Sequence, residues 1–179
     1  KISAGWQFKA LHKASSVEKN IVAAPAALEA AKYLERTYGT PYEIGYPLVD
    51  ELVRDMDYQG KKVLVVQQQV TGNAIREEIL KKAPDAQVTV ASWFMMKPEL
   101  RRDEDLHLRD EEDYIKLVET GSYDVIYADP CMARMTPKVE GVFVDTVHFA
   151  VSGKLVTVEA AKDSKELKEP GYESDGRSV

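Results

Sequence analysis

The sequence predicts an α/β fold in which parallel sheets carry helices on both faces. Three observations carry that prediction. Strand-like and helix-like segments alternate along most of the chain, the order that builds parallel sheets joined by right-handed crossovers. The segment KVLVVQQ (62–68) opens on an unbroken apolar run, the profile of a strand buried on both faces. The helical segments also carry their own punctuation, with capping side chains before them and glycine after them.

The elements follow in order. Residues 8–14 read as one or two helical turns. NIVAAP (20–25) is a short apolar run closed by proline, which marks a buried strand. AALEAAKYLERTYG (26–39) places Ala27, Ala31, Leu34 and Tyr38 on one helical face. Gly39 sits where a left-handed cap belongs, and Pro41 forbids continuation. PYEIGYP (41–47) is a second short strand and LVDELVRDM (48–56) a second helix. Gly60 breaks the pattern before the strand 62–68. NAIREEILKKA (73–83) is a helix with Asn73 as its N-cap, and QVTVASWF (87–94) a strand. DEEDYIKLVETG (110–121) is a helix capped by Asp110, favoured at its positive end by Glu111, Glu112 and Asp113, and ended by Gly121. YDVIYAD (123–129) and GVFVDT (141–146) are strands.

This order divides the chain into a partial β-α-β-α unit (1–59), a larger α/β unit (60–158) and a charged tail (159–179) with few large apolar residues, expected to be mobile. The connection 97–113, KPELRRDEDLHLRDEED, reads as a solvated surface loop, with a docking surface for a basic partner as the alternative. The chain begins on Lys1 with no obvious complete element, so we expect a C-terminal piece of something longer.

Composition narrows the partners. The chain has 179 residues, of which 44% are hydrophobic, enough to bury a real core. A formal net charge of −6 weighs against nucleic acid or an anionic membrane as partner. The apolar runs are too short for a membrane span and no signal-peptide pattern is present. The single cysteine, Cys131, rules out a disulfide within the chain and suits a reducing cytoplasm.

In a parallel α/β sheet, ligands bind outside the carboxyl ends of the strands, which directs attention to the loops after Pro25, Gln68, Phe94, Asp129 and Thr146. The loop QQQVTGN (67–73) meets a helix N-terminus, where backbone N–H groups receive anions. It lacks GxGxxG and GxxxxGK[ST], so nucleotide binding is unsupported, and the other reading is a turn that needs Gly72 for its geometry. Cys131 follows a strand end in ADPCMARM (128–135). It is either a thiol activated at a helix N-terminus or a small buried hydrophobe. His148, in DTVHFAVSGK (145–154), lies just beyond the last strand. There it is either a metal ligand or proton carrier, or a packed histidine bonded to backbone. His12 and His107 are expected to be exposed. No Ser/His/Asp set and no CxxC metal site is present.

The pattern N-I-V-x-A-P … L-E-x-x-Y-G-T-P-Y … P, then GKKVLVV, D-Y-I-K-L-V, YDVIYADP and a late FVDTVHFAVSGK, resembles the nitrogenase component 1 family. That family includes the molybdenum–iron protein subunits, cofactor-assembly scaffold relatives and the dark-operative protochlorophyllide reductases. The resemblance covers roughly residues 18–154. It implies Rossmann-like domains, an oxidoreductase fed by an ATP-dependent iron–sulfur reductase, a homologous partner subunit, and an iron–sulfur or metal cluster in the full protein. It implies no cofactor held by this fragment alone. The family's cofactor-binding cysteine maps near Ala23, and no cysteine lies between Lys1 and Pro130. His148, with Ser152 and Gly153 after it, resembles the family's late histidine ligand at a slightly different spacing. Within the resemblance, His148 contacts or protonates the bound group, and Gly72, Asn73, Cys131 and Ser152 line the same crevice. The alternative is a non-catalytic scaffold or binding protein for a metallocofactor precursor or tetrapyrrole.

Overall fold

The structure, a computed structural model, describes residues 12–148 together with 150 and 151. The charged tail, Ser152 and the side chain of His12 therefore lie outside the described residues. The strands are β1 (Asn20–Val22), β2 (Tyr42–Ile44), β3 (Lys62–Val66), β4 (Gln87–Ser92), β5 (Leu106–His107), β6 (Val125–Ala128) and β7 (Val142–Asp145). The helices are α1 (Leu28–Tyr38), α2 (Val49–Leu52), α3 (Gln69–Lys82), α4 (Glu111–Gly121) and α5 (Pro130–Ala133). β1 and β2 form a two-stranded parallel sheet, and the other five form a parallel sheet in the order β5-β4-β3-β6-β7. This order turns back between β3 and β6, the point where doubly wound sheets open a ligand crevice.

Alternation along β3 explains why helices cover both faces. Val63 and Val65 point to one side and pack with Ile75 and Ile79 of α3. Leu64 and Val66 point to the other and pack with Tyr114 and Val118 of α4. Every residue of β6 is buried, as a central parallel strand requires. Gly39 takes φ 72° and closes α1 through its N–H to the Glu35 carbonyl, as the sequence predicts. No helix among the described residues is long and apolar enough to cross a membrane.

Several expectations need correction. The helix expected over 48–56 is one turn, Val49–Leu52, after which Val53 is extended. The stretch 49–58 packs on the larger sheet: Val53 and Tyr58 enter its core, and Arg54 N–H donates to the Tyr127 hydroxyl at 3.0 Å. Gly121 is the last residue of α4, and the left-handed position falls on Ser122, φ 50°. The connection 97–113 is more than a solvated loop. Asp105 within it is fully buried and receives a forked ion pair from Arg76, at 2.6 and 3.0 Å. Val90 N–H and Arg102 N–H also donate to its carboxylate. His107 is exposed as expected.

Candidate functional site

The turn after β3 is built by three consecutive glutamines, each bonding the backbone of a different segment. Gln67 donates to the Thr146 and Val147 carbonyls beyond β7, at 3.1 and 3.3 Å. Gln68 donates to the Ala23 carbonyl beyond β1, at 2.7 Å. Gln69, fully buried, exchanges bonds with both backbone groups of Lys97 beyond β4, at 3.0 and 2.7 Å. The segments after β1, β4 and β7 are thereby tied to the one tripeptide that follows β3.

The same tripeptide changes the expected helix start. α3 begins at Gln69, with Gln68 as N-cap: its side-chain oxygen accepts from Val70 N–H. Asn73 is therefore inside the helix, where its amide donates to the Leu100 carbonyl at 2.8 Å and its oxygen accepts from Arg76. Gly72 is not a turn residue either. Its N–H makes a helical bond to the Gln68 carbonyl, and a Cβ there would lie 2.6 Å from Cγ1 of Val90. The glycine allows α3 to lie close on β4. Gly72→Ala is expected to cost about 1–3 kcal/mol by overpacking, measured by urea denaturation.

On the other side of the crossover point, Asp129 follows β6 and is fully buried. One carboxylate oxygen accepts from Cys131 N–H at 3.0 Å and caps α5. The other accepts from His148 N–H at 2.8 Å. One side chain thus joins the loops after β6 and β7. Cys131 is exposed, not a buried hydrophobe, and Met132 is the neighbour that turns into the crevice.

His148 is 3% exposed. The Phe94 ring lies flat on its imidazole, with centroids 4.5 Å apart and planes at 10°. Nδ1 accepts from Ala150 N–H at 3.2 Å, so the neutral ring carries its proton on Nε2. Burial lowers its pKa below the ordinary 6.5, with the Asp129 carboxylate opposing the shift. The unfolded chain therefore binds the extra proton more readily. Stability contributed by this histidine is complete above about pH 6.5 and falls as pH drops through that value toward the lower folded one. Urea melts from pH 5 to 8 are expected to show this loss in the wild type and a smaller one in His148→Asn.

Val66, Gln67, Ser92, Trp93, Met132 and Val151 surround the stacked pair and leave no room for a water molecule between them. The site thus brings together His148 with Gln67, Phe94, Asp129 and Met132, and not with Gly72, Asn73 or Cys131. A faint signal for Asp129 was present in the sequence, since an aspartate directly before Pro130 is a helix-cap signature. Cys131 is exposed, His148 is packed under Phe94, and no three His, Cys, Asp or Glu side chains converge among the described residues. Compared with family models, curated proteins and solved structures, the chain matches none.

Proposed function

We propose that this chain is the C-terminal part of a nitrogenase component 1-type oxidoreductase subunit, and that it contributes the crevice in which a substrate or cofactor is held. What carries the reading is the meeting of His148, Asp129 and Gln67 at the point where the sheet order turns back, beside the motifs that resemble the family in their order along the chain. In this reading the protein works in the cytoplasm with a homologous partner subunit and an ATP-dependent iron–sulfur reductase. The cluster that passes electrons is held by residues other than those described, and when bound it supplies the reducing equivalents.

The residues of this chain position the substrate. Asp129 and Gln67 fix the loops that form the crevice walls. His148 holds a proton on Nε2 at the carboxyl end of the sheet, where a group that gains electrons also needs protons. A second reading, a non-catalytic scaffold for a tetrapyrrole or metallocofactor precursor, is favoured by the largely apolar lining of Val66, Trp93, Phe94, Met132 and Val151. Native mass spectrometry of the polypeptide isolated without oxygen from its own cells tests the first reading. The expected result is an assembly with a homologous subunit. A chain that occurs only alone or with copies of itself would count against it.

A further inference from the structure

We propose that Phe94 is a movable plug that holds the place of a flat, largely apolar ring ligand on the face of His148. The inference rests on the reading that this crevice is the ligand site. Four observations point the same way. The Phe94 ring already sits on the imidazole as such a ligand would, 4.5 Å between centroids and 10° from parallel. The walls around it are flat or adaptable: Trp93 is aromatic, and Met132 has an unbranched, polarizable side chain. Phe94 itself is only half-buried, while the histidine beneath it is buried, so the ring covers the crevice from the solvent side.

The fourth observation concerns what holds the plug. β4 ends at Ser92, and the Ser92 hydroxyl accepts from Phe94 N–H at 3.1 Å. The chain is anchored again at Lys97, by both bonds from buried Gln69. Between Ser92 and Lys97 lie Trp93, Phe94, Met95 and Met96, and Met95 is 56% exposed. A rotation within this short span carries the ring outward without disturbing β4 or α3.

The test is a titration of the full chain with 2-naphthol, a soluble planar probe, followed by nuclear Overhauser contacts of the His148 ring protons. The expected result is that contacts from Phe94 to His148 fade as contacts from the probe appear. Phe94→Ala is expected to bind the probe about tenfold more tightly or better, because a site that is open only a small fraction of the time loses apparent affinity by that fraction. If the probe reaches His148 while the Phe94 contacts persist, the plug is overturned and the crevice reading stands. If the probe contacts His148 in neither protein, both the plug and the crevice reading fail.

Discussion

Arg76→Met is expected to lower the free energy of unfolding by about 3–5 kcal/mol, because it leaves a buried carboxylate without its cation. Urea denaturation at neutral pH reads this directly. Arg76 is 1% exposed and Asp105 is fully buried, so neither recovers solvation by a small rearrangement. The double variant Arg76→Met, Asp105→Leu is expected to remain destabilised. Buried ion pairs often exchange for apolar pairs at little cost, but this carboxylate also receives Val90 N–H and Arg102 N–H. Those donors would lose their acceptor, so a double variant as stable as the wild type would contradict the role assigned to Asp105. The loss is expected to loosen the loop between β4 and β5 first, since Arg101 also donates to the Asp105 carbonyl, at 2.8 Å.

Asp129→Ala is the second large effect, about 2–4 kcal/mol, since two backbone donors lose their acceptor in a buried position. Asp129→Asn keeps one acceptor oxygen and is expected to lose roughly half as much. The two variants separate local from global effects. In Asp129→Ala the amides of Cys131 and His148 are expected to exchange hydrogen far faster, while those of β3 keep their protection. Unchanged exchange at both amides would mean that Asp129 does not hold the two loops.

The five strands of the main sheet differ in how plainly the sequence announces them. β3, β4 and β6 are legible because their apolar runs report burial, whereas β7 is read from the same kind of run although only Val144 of it is buried. β5 is two residues long and lies inside a charged run, so no local pattern separates it from a loop. Asp105 has the same difficulty: among the charges of RRDED, both Glu104 and Asp105 pair with Arg76, and only the folded chain distinguishes Asp105 as the buried partner. The start of α3 was obscured because glutamine is an uncommon cap, and QQQVTGN reads as a polar turn. Gly72 looks like a turn residue for the same reason, whereas the constraint on it is the distance to Val90.

The candidate site was legible in part. The rule that ligands gather at the carboxyl ends of parallel strands picks out the loop containing His148 and the loop after Phe94. It does not indicate that their rings stack, because that contact depends on where two distant loops meet. The sequence puts Cys131 just after a strand end, but which of Cys131 and Met132 faces inward is set by the Pro130 turn and its Asp129 cap.

The proposed function is tested most directly by iron and acid-labile sulfide per chain in the intact native polypeptide, purified without oxygen. Several irons per chain with matching sulfide are expected if this crevice belongs to a reductive, cluster-bearing subunit. A polypeptide that contains neither, isolated with its native partners, would contradict the oxidoreductase reading and leave the binding or scaffold role.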